Sequence, residues 1–139
     1  MQKGKNDCGL ACLSMVAKYL KLPFVTQAIL LHSHLTIKGI SLYDLSEAAR
    51  GIGLETLAIR CKVEELGKIP LPAIAFWNGN HFVVVYRVSV RYVWVADPAK
   101  GKVRYKKKDF LTGWYQPDEQ QGVLLVLERE RTQTQEQDA

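Results

Sequence analysis

The sequence predicts an α+β domain in which N-terminal helices pack on a mostly antiparallel β-sheet. Three observations carry this. Helical periodicity is confined to the residues before Gly53, and from there on the apolar residues come in short runs separated by Gly, Pro, Asn and Asp. The chain has 139 residues, 47% of them hydrophobic, which suits one continuous core.

The first helix opens at Cys8. Cys8, Ala11, Cys12, Met15, Val16, Tyr19 and Leu20 follow an i, i+3, i+4, i+7, i+8 series, so one face turns inward. Asn6 and Asp7 are both good N-caps, which puts Cys8 in the first turn among unpaired backbone N–H groups. Leu22-Pro23 breaks the pattern, and a weakly capped second helix is expected over 26–34. A third helix follows Gly39, with Ser41 as N-cap and Asp44 in the capping-box position. Leu42, Leu45, Ala48, Ala49 and Ile52 form its buried stripe, and Gly51 and Gly53 end it.

Strands are expected over 55–61, 73–77 after a Pro-rich break, 81–88, 92–96, 102–105 and 122–127, with one helical turn at 109–114. The stretch from Glu128 to Ala139 has a single non-polar residue and cannot bury a core. The expected organisation is one domain over 1–128 and a polar tail or linker over 129–139.

Composition excludes several function classes. There is no apolar run of about eighteen residues and no hydrophobic signal region, so nothing is expected to span a membrane. Three cysteines, without disulfide-scaffold density, suit free thiols in the cytosol. The net charge of +5 owes much to a cluster, Lys100, Lys102, Arg104, Lys106, Lys107 and Lys108, which reads as a solvated strand edge; an acidic partner is possible. Only Tyr105 lies inside the cluster, which argues against nucleic acid as a partner.

The chemistry-bearing residues come from both halves. A thiol at a helix start is favoured as thiolate by the positive end of the helix dipole, whereas Cys12, one turn further in, reads as core and Cys61 as structural. Strands 81–88 and 92–96 lie close enough for a tight hairpin turning near Ser89. If Arg87 faces Arg91, paired residues sum to 178 and His81 stands opposite Asp97. A slip of one residue leaves the two as neighbours.

An imidazole beside a carboxylate is held in one tautomer, as a base serving a thiol requires. Cys8, His81 and Asp97 follow the order of papain-like thiol hydrolases. Gln2, six residues before Cys8, can return its side-chain amide toward an oxyanion. Taken singly, His81 reads as a strand-end histidine and Asp97-Pro98 as a turn. Cys8 and Cys12 share a helix face that zinc could use, but no second ligand pair has suitable spacing, and no metal is expected. His32 and His34 fall on different helix faces and carry no role.

Gln2, Asp7-Cys8, Ala11 and Met15-Val16, together with WNGNHFVVV (77–85) and VADPA (95–99), resemble the three signature blocks of the C39 peptidases, the bacteriocin-processing cysteine proteases. The resemblance runs over about the first 128 residues, in the right order. It implies a papain-like fold with Cys8 as nucleophile, His81 as base and then acid, Asp97 as orienter and Gln2 as oxyanion donor.

It also implies a substrate, a ribosomally made precursor peptide whose leader ends in a double-glycine motif and is cut after the second Gly. Two residues without side chains enter a narrow site where a Cβ would clash. Leader residues further upstream would dock as an amphipathic helix. Phe76 and Trp77 are candidates near the cleft, each equally readable as a core aromatic. Family members usually form the N-terminal cytosolic domain of an ABC exporter, so transmembrane and ATPase domains are implied partners at the cytosolic face of the plasma membrane. No cofactor is expected, with ATP belonging only to such a fused ATPase, and the chain is either an excised domain or a stand-alone member. The alternative is a leader-binding module that docks cargo without cutting it, a class expected to lack the nucleophile.

Overall fold

A computed structural model describes residues 8–21, 42–79, 81–115 and 120–129, the side chains of Cys8 and Arg129 excepted. The expected helix over 26–34, the caps at Asn6, Asp7 and Ser41, residue Gln2 and the polar tail beyond residue 129 lie outside these residues, while Glu128 and Arg129, expected to be polar extension, pair with Glu55 and Leu54 in the sheet.

Helix α1 (Cys8–Tyr19) buries Leu10, Cys12, Leu13, Val16 and Ala17, so the inward face is rotated from the expected series: Cys12 and Val16 are shared with it, Ala11, Met15 and Leu20 are half-buried, and Tyr19 is exposed. It stops where Lys21 turns left-handed at φ 60 and donates its N–H to the Lys18 carbonyl. Helix α2 (Leu42–Gly51) buries Leu45, Ala48 and Ala49. The Gly53 N–H closes on the Arg50 carbonyl, and its φ of 94 is a conformation open to glycine that turns the chain into the first strand.

The strands are β1 (Leu54–Cys61), β2 (Ala73–Trp77), β3 (His81–Val88), β4 (Tyr92–Asp97), β5 (Gly101–Lys106) and β6 (Gly122–Arg129). They form one antiparallel sheet in the order β1-β6-β2-β3-β4-β5, so the last strand inserts between the first two. A 3₁₀ helix over Val63–Lys68 occupies the region before the Pro-rich break, begun by Glu65 accepting the Lys62 N–H at 2.8 Å. Helix α3 (Lys107–Trp114) has eight residues where a single turn was expected.

Alternation along the strands divides the core between two sheet faces. On one, α1 and α2 close over Ile74, Phe82, Val84, Leu125 and Leu127. On the other, Phe110 and Trp114 of α3 close over Ala75, Trp77, Val83, Val85, Val93 and Val95. That second layer is rich in rings: Phe110 stacks tilted on Trp77 at 5.3 Å and on Trp114 at 5.2 Å, pairs worth about 0.5–1.5 kcal/mol each beyond area burial. The Trp114 indole N–H, which would be costly to bury unpaired, donates to the Val123 carbonyl at 3.1 Å. No helix among the described residues is long and apolar enough to cross a membrane.

Candidate active site

Two strand ends meet at one corner of the sheet. β3 begins at His81, paired across the β2–β3 hairpin with Trp77. The connection leaves Trp77 through Asn78 and Gly79, both left-handed at φ 52 and 76, which suits Asn and Gly above other residues. The Asn78 N–H donates to the Gly113 carbonyl of α3 at 2.8 Å. Gly113 suits this position because an added Cβ would run into the Trp77 ring. The His81 loop is thereby tied to the aromatic layer beneath it.

β4 ends at Asp97, where Asp97-Pro98-Ala99-Lys100 turns the chain into β5. The Lys100 N–H donates to the Asp97 carbonyl at 3.1 Å, and the Ala99 N–H donates to Asp97 Oδ1 at 2.8 Å. This carboxylate is the buried charged side chain among the described residues, 3% exposed. A buried carboxylate is costly unless hydrogen-bonded, and the same Oδ1 also lies 2.8 Å from His81 Nε2. Asp97 is therefore a turn former and the partner of His81 at once. With Nε2 occupied, Nδ1 is the ring nitrogen that faces any other group, and the ring keeps 18% of its side-chain surface.

The expected hairpin register needs correction. The ladder pairs Val84 with Ala96 and Val85 with Val95, then shifts at a bulge so that Arg87 pairs with Trp94 and Val88 with Val93. Pairs at the His81 end thus sum to 180, not 178. One step beyond Val84–Ala96 stand Val83 and Asp97, so His81 meets the carboxylate diagonally. The turn near Ser89 is as expected: its N–H donates to the Tyr92 carbonyl, and its hydroxyl accepts the Tyr92 N–H.

Cys8 is the first residue of α1, whose first turn contains no acidic side chain to offset the positive end of the dipole. α1 packs principally on β3, the strand that begins with His81. The thiol itself and Gln2 lie outside the described side chains. Cys12 is fully buried and Cys61 is 4% exposed. Desolvation, reinforced by Glu65, pushes the Cys61 thiol up to about 11, so it stays protonated at neutral pH.

Trp77 is buried in the ring layer against Tyr105 and Phe110, whereas Phe76 is half-buried on the α1 face beside Phe82. Sequence reasoning missed Gly113 and the Ala99 N–H. A glycine inside a short helix was the available signal for the first, and the Asp-Pro turn for the second. Among the described residues no three His, Cys, Asp or Glu side chains cluster to hold a metal.

Comparison with known proteins bears on the same residues. The sequence model of the peptidase C39 family matches residues 1–131. The chain is 32% identical over 130 residues to the lactococcin-G-processing and transport ATP-binding protein LagD of Lactococcus lactis, covering 89% of this chain and 18% of that protein. It is 31% identical over 124 residues to the probable functional amyloid protease FapD of Pseudomonas aeruginosa, covering 81% of this chain and 55% of that one. The chain thus spans about a fifth of the first relative and about half of the second. Among solved structures, a double glycine motif protease from AMS/PCAT transporter, crystallised with the leader peptide, superposes with a TM-score of 0.78. It is 31% identical, covering 93% of this chain and 89% of that one.

Proposed function

The chain belongs to the peptidase C39 family, and from that membership we propose that it is a cysteine endopeptidase cutting leaders from precursor peptides after a double-glycine motif. The observation that carries the reading is the 2.8 Å bond between His81 Nε2 and the buried Asp97 carboxylate, on the strand against which the Cys8 helix packs. A helix start, an imidazole and a buried carboxylate are the parts a thiol hydrolase needs.

In this reading Asp97 fixes the Nε2–H tautomer, so Nδ1 is the basic nitrogen that takes the Cys8 proton. The Cys8 thiolate attacks the carbonyl carbon of the second Gly. The resulting oxyanion is held by N–H groups at the start of α1 and by the Gln2 amide. His81, now protonated at Nδ1, gives that proton to the departing amine, the C–N bond breaks, and a thioester remains on Cys8. Water then attacks the thioester, His81 takes its proton, and the leader leaves as a carboxylate while the thiol is restored. Asp97 stays ionised throughout and stabilises the imidazolium. These steps draw on side chains, backbone N–H groups and water, without a cofactor.

α1 lies on the sheet face opposite Val83 and Val85, so thiol and imidazole would meet across the end of β3. A site at a strand end is narrow, and Gly-Gly suits it because neither residue carries a side chain. Phe76 is the better placed of the two aromatic candidates for upstream leader residues. Several relatives are transport ATP-binding proteins, which supports attachment to an ABC transporter at the cytosolic face of a membrane, with the segment after β6 as the linker.

The test is cleavage of a Gly-Gly precursor peptide followed by mass spectrometry. Loss of the cut in Cys8→Ala, with Cys12→Ala still active, is the expected result. An undiminished cut in Cys8→Ala would overturn the reading. Leader binding without any cut by the unmodified chain would assign it instead as a docking module.

A further inference from the structure

We propose that the β3–β4–β5 face beside α1 is a docking surface for an anionic phospholipid membrane. The sheet register builds this face. Tyr92 pairs with Lys106, Trp94 with Arg104 and Ala96 with Lys102, which brings the basic residues of β5 alongside the aromatic residues of β4. The cations lie on the rings: Arg87 is 4.4 Å from the Trp94 centroid, Arg104 is 4.2 Å from that of Tyr92, and Lys102 is 5.6 Å from that of Tyr86. Tyr105, the aromatic inside the basic run, belongs to the opposite face.

The charge is local. Residues 86–108 hold eight of the chain's 19 Lys and Arg and a single acid, Asp97, which is buried against His81. Among the described residues the salt bridges join Arg50 to Glu47 and His81 to Asp97, so this face meets no carboxylate in such a pair. α1 and α2 cover the part of the same face formed by Ile74, Phe82 and Val84, while Tyr86, Tyr92 and Trp94 stay half-exposed. At the tip of the β3–β4 hairpin Val90 is 88% exposed, next to the exposed Arg91. The tip is held in place by the Lys107 N–H on the Arg91 carbonyl at 3.0 Å.

A lipid surface fits all three features together. Lys and Arg meet the phosphates, Trp and Tyr sit at headgroup depth, and Val90 reaches below them. Nucleic acid fits worse, because single-strand binding needs open rings for base stacking and these already carry cations. An acidic peptide would answer the charge but leave Val90 without a role.

The test is sedimentation of the full chain with vesicles of phosphatidylcholine alone and with one-third phosphatidylglycerol. Binding to the anionic vesicles only, falling as salt is raised, is expected. Each cation is worth about fivefold at such a surface, so Arg87→Gln with Arg104→Gln should weaken binding about 25-fold. Val90→Ser, which removes the apolar tip at unchanged net charge, should weaken it several-fold. Melting temperatures of the variants, unchanged from the parent, show that the fold is intact, and the salt titration of the parent chain stands without any variant. Failure to bind anionic vesicles at low salt would overturn the proposal. So would soluble polyglutamate binding as tightly as the vesicles with Val90→Ser without effect, which would assign the face to an acidic peptide.

Discussion

His81 and Asp97 are joined through one oxygen: Oδ1 of Asp97 accepts from His81 Nε2 at 2.8 Å and from the Ala99 N–H at 2.8 Å. The backbone donor therefore decides which atom of residue 97 faces the imidazole.

That arrangement separates two substitutions. In Asp97→Asn the Ala99 N–H holds the amide oxygen, not the NH₂, toward His81, so the Nε2–H tautomer survives and only the charge on the imidazolium is lost. We expect kcat/KM to fall by about tenfold, far short of the roughly 10⁴ seen when such a change imposes the wrong tautomer. Asp97→Ala leaves both donors without their acceptor, costs about 1–3 kcal/mol of stability and should lower kcat/KM by at least about 10². Steady-state cleavage and thermal melts compare the pair; equal losses for Asn and Ala would remove the orienting role.

The three thiols should separate by alkylation rate. Iodoacetamide at mildly acidic pH is expected to label Cys8 first, because its helix start favours the thiolate. Cys12 is fully buried and should react only on unfolding. Cys61, pushed up to about 11, keeps its proton until well above neutral pH, so its labelling should rise steeply in alkaline solution. The same shift has a sign for stability. A thiol whose pKa is raised from 9.0 to about 11 on folding holds its proton more tightly in the native state, so stability is lost as pH climbs from about 9 to 11. Peptide mapping after timed alkylation checks the order, and Cys61 labelling ahead of Cys8 at pH 6 would contradict it.

Most of the fold was legible because its elements announce themselves locally. Helical spacing marked α1 as a helix, although its buried face, Leu10, Leu13 and Ala17 beside Cys12 and Val16, is rotated from the expected one, and most strands are apolar runs between turn formers. What sequence could not show is non-local or lacks a period. The insertion of β6 between β1 and β2 pairs Leu57 with Val126, far apart in the chain. The bulge between Val85 and Arg87 moves the register without any Gly or Pro to mark it. Lys107 and Lys108 read as more of a basic run, although they are the first turn of α3. His81 and Asp97 were legible as a pair because the hairpin brings their strand ends together. Gln2 and the Cys8 thiol lie outside the described atoms, so their roles stand on sequence and family.

A stability prediction tests the tie between the 3₁₀ helix and the chain after α3. The Tyr115 hydroxyl accepts the Val63 N–H at 2.9 Å. Tyr115→Phe keeps the ring and leaves that donor unpaired, which should cost about 1–3 kcal/mol in denaturant unfolding with activity retained. A change in kcat without a change in stability would show that this contact serves the site instead.

Gly113 offers the sharpest test of how the site is held. Its added Cβ would run into the Trp77 ring, and its carbonyl holds the Asn78 N–H at the start of the loop that delivers His81. Gly122 meets a similar obstacle, the Trp114 ring, but on β6 rather than beside the His81 loop. Both Gly113→Ala and Gly122→Ala should cost about 1–3 kcal/mol by overpacking. They should differ in catalysis. Displacing Trp77 moves the residue paired with His81, so Gly113→Ala is expected to lower kcat at temperatures where both variants remain folded, with Gly122→Ala close to the parent enzyme. On the proposed mechanism His81 acts after binding, so the loss should fall on kcat more than on KM. Equal activity of the two variants at matched stability would detach Gly113 from the positioning of His81 and leave it a packing residue of the aromatic layer.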